Sequence, residues 1–135
     1  MSPSEIRTKF EAHGILPTPQ RLEVAEILLQ KPQHMSADQI IEELRAKGSN
    51  VSKATVYNSL NLFGERGLVK ECLVDPERRF YDSTTRPHHH FYNADTGELS
   101  DIPSDTIEVT GLPELPAGTH MEGAELIVRI RNSAE

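Results

Sequence analysis

The stretch Ser52-Lys53-Ala54-Thr55-Val56-Tyr57-Asn58-Ser59-Leu60-Asn61-Leu62-Phe63 decides the fold. Ser52 brings a side-chain oxygen to the position where a helix opens and its first N–H groups need acceptors. Val56, Leu60 and Phe63 then recur at helical spacing and share one face, and Gly64 and Gly67 are expected to loosen the end. The face left over carries Ser52, Lys53, Thr55, Tyr57, Asn58 and Asn61. Ser, Thr and Lys suit phosphate oxygens, Asn suits the adenine edge, and Tyr suits the backbone or a thymine methyl. The same residues would also serve as the solvated side of an ordinary helical bundle, so the pattern alone leaves both readings open.

Before this stretch, residues 5–13 place Ile6 and Phe10 four apart, with Gly14 as a stop, and Pro17-Thr18-Pro19 forces a turn. From Gln20 the apolar positions Leu22, Val24-Ala25 and Ile27-Leu28-Leu29 have the helical period until Lys31-Pro32. Ser36-Ala37-Asp38-Gln39 has the form of a capping box ahead of Ile40-Ile41-Glu42-Glu43-Leu44, with Gly48 as the stop. After it come two strand candidates, Leu68 to Val74 and Arg79 to Asp82, joined by Asp75-Pro76-Glu77-Arg78. Three helices, counted from the one opening at Gln20, followed by a strand pair is the order of a winged helix-turn-helix, with residues 52–65 as the recognition helix.

The next segment, Asp82-Ser83-Thr84-Thr85-Arg86-Pro87-His88-His89-His90, joins a charge-balanced front to an acidic back. Residues 1–82 hold 11 Lys and Arg against 12 Asp and Glu, and residues 83–135 hold 3 against 9. The net charge of −7 therefore does not exclude a locally basic face on the first part. Alternation along a strand sends His88 and His90 one way and His89 the other, making a two-pronged imidazole clamp. Asp82 and Asp101 flank it with carboxylates. Imidazoles and carboxylates together form a mixed nitrogen and oxygen set suited to Fe(II), Mn(II) or Zn(II).

Beyond the histidines, Phe91-Tyr92-Asn93-Ala94 and Glu98-Leu99-Ser100-Asp101-Ile102 flank Asp95-Thr96-Gly97, a hairpin signal. Residues 103–118 are rich in Pro and Gly and will not form a long helix. Glu125 to Arg131 is the clearest strand of the chain, and its alternation predicts cover on one face. A three-stranded sheet of this size leaves an open edge and an uncovered apolar face, a reason to expect a homodimer. The single Cys72 excludes an intrachain disulfide framework and a four-cysteine zinc site, and its strand context fits an inert small hydrophobe. No apolar run has membrane-spanning length and no signal segment opens the chain, so a cytoplasmic location without membrane contact is the expectation.

Thr18-Pro19-Gln20-Arg21, His34-Met35-Ser36-Ala37-Asp38, Ala54-Thr55-Val56-Tyr57-Asn58-Ser59-Leu60, Gly67-Leu68-Val69 and His88-His89-His90, in that order, resemble the ferric uptake regulator (Fur) family along nearly the whole chain. The resemblance implies an α+β fold, an N-terminal winged helix-turn-helix followed by a small α/β dimerisation domain. It implies a winged-helix DNA-binding domain over residues 1–82, a hinge over 83–87 and a dimerisation and metal-sensing domain over 88–135. By position, the metal ligands of the peroxide-sensing branch fall on His34, Asp82, His88, His90 and Asp101. A metal bound by all five would staple the two halves into one relative orientation. Contacts to a double-stranded DNA operator are carried over to Arg21, Ser52, Lys53, Thr55, Tyr57 and Asn58.

The departures from the family are specific. The C-x-x-C that begins its structural zinc site reads Asn93 and Thr96, and no cysteine follows Cys72, so no structural zinc is expected. Leu16 stands where the family has a basic minor-groove residue. His88-His89-His90-Phe91, the cysteine-free hairpin ending in Asp101-Ile102, Leu112-Pro113-Glu114-Leu115-Pro116 and the ending Val128-Arg129-Ile130-Arg131 look like the iron response regulator (Irr) subfamily. Its association with haem makes His89 and His120 candidates for haem or a second metal. Fur-type and peroxide-sensing (PerR-like) repression are the alternatives. A metal-dependent hydrolase, using the same site to activate water, and a regulator acting through protein contacts alone are the competing classes; the expectation is that the chain is not an enzyme.

Overall fold

The computed structural model describes residues 1–75, 78–85 and 88–134. The chain divides into two compact units, Met1–Thr85 and Arg86–Glu135. That boundary falls inside the stretch expected as a hinge, of which Arg86 and Pro87 lie outside the described residues, as do Pro76 and Glu77 of the connection between the first strand pair.

The first unit opens with helix α1 (Pro3–Ala12), capped by the Ser2 hydroxyl, which accepts the Glu5 N–H. Helix α2 (Pro19–Leu28) begins at a proline whose missing N–H costs nothing there, and Thr18 caps it by accepting from Arg21 N. A strand that the sequence pattern does not reveal follows, β1 (His34–Ser36), and leads directly into α3 (Ala37–Ala46). The capping box holds in full: Ser36 Oγ accepts from Gln39 N, and Gln39 Oε1 accepts from Ser36 N.

Helix α4 (Lys53–Glu65) is capped by Ser52, whose oxygen accepts the Thr55 N–H at 3.1 Å. Gly64 does not loosen this helix but lies within it. The stop is Gly67, which adopts φ +74°, while Leu68 N donates back to Phe63 O.

Two strands complete the unit, β2 (Lys70–Asp75) and β3 (Arg78–Asp82), paired antiparallel, with β1 on the other side of β3. Leu68 and Val69, expected as the start of a strand, instead join the core ahead of it. Val56, Leu60 and Phe63 are fully buried with Ile6, Phe10, Val24, Ile27, Leu28, Ile40 and Leu44, so each helix contributes one apolar face to a single core. The Phe10 and Phe63 rings tilt against each other with centroids 5.4 Å apart. Truncating a side chain such as Leu60 to Ala here should cost about 2–5 kcal/mol.

The second unit is smaller. Strands β4 (His89–Asn93) and β5 (Glu98–Ile102) form the expected hairpin. At its turn Asn93 Oδ1 accepts from the N–H groups of Asp95 and Thr96, and Gly97 takes φ +75°. A 3-10 turn at Ser104–Thr106 is the only helical piece described in the long connection to β6 (Ile127–Ile130). That strand is shorter than its alternating pattern predicts and runs parallel to β4. The alternation does not become burial either: Ile127 and Val128 are half-buried, and Arg129 and Ile130 are exposed. Side chains pin β6 at both ends. Leu126 N donates to His89 Nδ1 at 2.8 Å, and beyond the strand Asp95 binds Arg131 at 2.7 Å and the Asn132 N–H at 2.9 Å. His90, Tyr92, Leu99 and Ile102 are the buried residues described in this unit, a core so small that it is marginal alone.

Candidate functional site

The hairpin register builds the densest cluster of potential ligands. His90 lies on β4 directly opposite Asp101 on β5, and His88, two residues earlier, projects to the same side. The two imidazole centroids are 4.4 Å apart. Their Nε2 atoms lie 3.4 Å (His88) and 3.3 Å (His90) from the same oxygen, Asp101 Oδ1. Donor atoms of all three side chains fall within 4.8 Å of one another. His90 is buried, whereas Asp101 keeps 59% of its side-chain surface exposed. A divalent cation at this point would draw two neutral nitrogens and one anionic oxygen, a donor set that fits Fe(II), Mn(II) or Zn(II) and lacks the thiolates of a softer-metal site.

His89 points away, as alternation requires. Its Nδ1 accepts the Leu126 N–H, so that nitrogen carries no proton and is engaged in holding β6. His120 is exposed in the segment between the 3-10 turn and β6. Neither belongs to a ligand cluster found among the described residues.

In the first unit, β1 places His34 in register with Asp82 on β3. Asp82 is buried, and its Oδ1 accepts the Thr84 N–H at 2.8 Å. His34 is half-buried, edge-on to Phe80, and borders an open groove of about 350 Å³ with Gln39, Glu42 and Glu43 of α3. Of the five residues singled out by the sequence, His34 and Asp82 belong to the first unit and His88, His90 and Asp101 to the second.

The outward face of α4 presents Ser52, Lys53, Asn58 and Asn61, with Tyr57 43% exposed. Thr55 is half-buried, and its Oγ1 accepts the Ser52 hydroxyl at 2.9 Å. Tyr57 OH lies 3.5 Å from Asp38 Oδ1, at the start of α3, a neighbour that the spacing of the sequence gives no means of finding. Arg21 is turned toward the chain, donating from Nη1 to Leu16 O at 2.8 Å, while the Leu16 side chain stands 74% exposed.

The sequence profile of the Ferric uptake regulator family matches residues 12–128. The chain belongs to the ferric uptake regulator family. Its fold agrees: the ferric uptake regulator of Vibrio cholerae superposes with a TM-score of 0.76 at 25% identity, covering 93% of this chain and 98% of that one. The Pseudomonas aeruginosa ferric uptake regulator, solved with manganese, gives 0.69 at 23% identity over 93% of this chain and 96% of its own. These neighbours establish the α+β family fold, a winged helix-turn-helix followed by a smaller α/β domain. Among curated family members, the peroxide operon regulator of Bacillus subtilis is 39% identical over 89 residues, 66% of this chain and 61% of that protein. The peroxide-responsive repressor PerR of Staphylococcus epidermidis is 34% identical over 89 residues, 66% of this chain and 59% of its own length. The match thus spans less than two thirds of either curated relative.

Proposed function

We propose that this family member is a metal-responsive transcription regulator that binds double-stranded DNA as a homodimer. The convergence of His88, His90 and Asp101 on one point, in a family of regulators, is the observation that carries the reading. In it, residues 1–82 bind the operator, 83–87 act as hinge and 88–135 dimerise and hold the metal. His88, His90 and Asp101 bind Fe(II), Mn(II) or Zn(II), and His34 and Asp82 complete the ligand set. Metal binding then favours one arrangement of the two units, since only a ligand that prefers one state shifts a population. Arg21, Ser52, Lys53, Thr55, Tyr57 and Asn58 make the DNA contacts. Membership of a family of regulators favours regulation over hydrolysis.

Two signals compete within this reading. Asn93 and Thr96 at the hairpin turn, in place of a cysteine pair, favour an Irr-like regulator of iron or haem genes. The 39% identity to the peroxide operon regulator of B. subtilis favours a peroxide-responsive repressor. Because His89 Nδ1 is engaged with Leu126, a haem iron at this residue would have to be bound through Nε2. Protein purified under low oxygen, loaded with Fe(II) or Mn(II), should bind its own promoter with an affinity that changes on metal removal. Hydrogen peroxide abolishing binding of the Fe(II) form alone marks the peroxide reading, and haem abolishing it marks the Irr-like one. Affinity indifferent to metal, peroxide and haem would sink both. His34→Ala should leave a weaker metal site and uncouple it from DNA affinity.

A further inference from the structure

Gln33 and Ser83 stand one residue outside the register pair His34 and Asp82 and tie the two strand ends together. Ser83 N donates to Gln33 O at 3.0 Å, and Gln33 N donates to Ser83 Oγ at 3.0 Å. The Ser83 hydroxyl proton has two acceptors in reach, Gln33 O at 3.1 Å and Lys31 O at 3.3 Å. The Gln33 amide does something different. Its Nε2 donates to Ile27 O at 2.9 Å and to Leu28 O at 3.1 Å. These carbonyls belong to the last turn of α2, where helix carbonyls have no partner within the helix. A single side chain therefore caps α2 and is fixed at its backbone to the residue that follows Asp82.

The path continues inward. Val24, Ala25, Ile27 and Leu28 of α2 are buried in the same core as Val56, Leu60 and Phe63 of α4. Protein interiors pack too tightly for a displaced helix end to be absorbed without its neighbours responding. We propose that Gln33 and Ser83 are a positioning pair that carries the state of His34 and Asp82 to the C-terminal end of α2, and through the core to the DNA-facing helix α4. The role is separate from holding metal: neither side chain is needed as a ligand, and both act through what they fix. This inference rests on the regulator reading above, in which Ser83 opens the hinge, and gives Gln33 and Ser83 a role that the reading does not assign.

The test uses the full-length protein and measures three quantities: Mn(II) affinity by titration calorimetry, promoter affinity with and without Mn(II) by fluorescence anisotropy, and amide hydrogen exchange. Gln33→Ala and Ser83→Ala should bind Mn(II) within about threefold of wild type. The ratio of holo to apo DNA affinity should move toward 1 by roughly 3- to 30-fold, the range expected for residues along a coupling path. Ser83→Thr, which keeps the hydroxyl, should restore the ratio. In the unmodified protein, Mn(II) should change the exchange of the amides of Leu29, Gln30 and Lys31, a readout that needs no variant to fold. Variants that keep the wild-type ratio overturn the inference and leave the regulator reading standing. So does loss of Mn(II) affinity in parallel with the ratio, or unchanged exchange at residues 29–31. A wild-type protein with no metal-dependent DNA affinity removes the reading and the inference together.

Discussion

His90→Ala, compared with His89→Ala, separates metal binding from sheet integrity on adjacent residues of one strand. His90 is buried, with Nε2 3.3 Å from Asp101 Oδ1, whereas His89 faces the other way and accepts the Leu126 N–H. At a Mn(II) concentration a hundredfold above its Kd, binding to the folded state alone adds about 2.7 kcal/mol of stability. For domains bracketing this size 1 kcal/mol moves Tm by roughly 2–8 °C, so Mn(II) should raise the wild-type melt by roughly 5–20 °C. His90→Ala removes one of two imidazoles from the cluster in its unit. Its metal-free form should lose on the order of 1–3 kcal/mol from the emptied space, and the rise with Mn(II) should disappear. His89→Ala leaves the Leu126 N–H without its acceptor, which costs about 1 kcal/mol, yet the Mn(II)-dependent rise should survive. The assay is a pair of thermal melts for each protein, with chelator and with Mn(II), and the difference between the two is the quantity to read. If His90→Ala kept most of the wild-type rise, the convergence of His88, His90 and Asp101 would not be a metal site.

Asn58→Ala should weaken specific promoter binding by about 1–3 kcal/mol, the range of a lost base contact, with Mn(II) affinity unchanged; equal anisotropy curves for wild type and variant would take α4 out of the groove. Ile130→Glu places a charge on the exposed end of β6 and should shift the protein from dimer to monomer in light scattering, whereas a dimer that persists would locate the interface elsewhere. Burial pushes the Tyr81 phenol above its ordinary 10.0, with a hydrogen bond to Arg79 pulling the other way. The folded pKa is the higher one, so this contribution to stability is complete below pH 10 and is lost as pH rises through the folded value. Tm should fall more steeply above pH 10 in wild type than in Tyr81→Phe, and parallel curves would refute the assignment.

What the sequence disclosed and what it withheld divide along the range of the interactions involved. Val56, Leu60 and Phe63 could be placed on the buried face of α4 because helical period is local, and the Ser36 to Gln39 capping box closes within one turn. The clamp of His88 and His90 was legible for the same reason, since strand alternation needs no partner. β1 was not legible: His34 to Ser36 carry no pattern of their own and become a strand only through pairing with Phe80 to Asp82, more than forty positions away. Nor was the direction of β6, whose parallel pairing sets His90 beside Ile127 and Asn93 beside Ile130, residues far apart in the chain.

The same division bears on the mechanism. Residues that hold metal must present particular donor atoms, so they come from a few types, His and Asp among the candidates in this chain, and stand out in composition. Residues that transmit its presence need only a hydrogen bond in the right place, which any of several common polar types supplies. Gln33 and Ser83, fifty positions apart, are unremarkable in the sequence and become conspicuous only when their partners are known. If the coupling runs through them, a search restricted to metal-ligating residue types would find the sensor and miss the connection. On that reading the pair to mutate when metal affinity and DNA response are to be separated is Gln33 and Ser83, because they adjoin His34 and Asp82 in the chain, Ser83 is bonded to the Gln33 backbone, and the Gln33 amide is bonded to the end of α2.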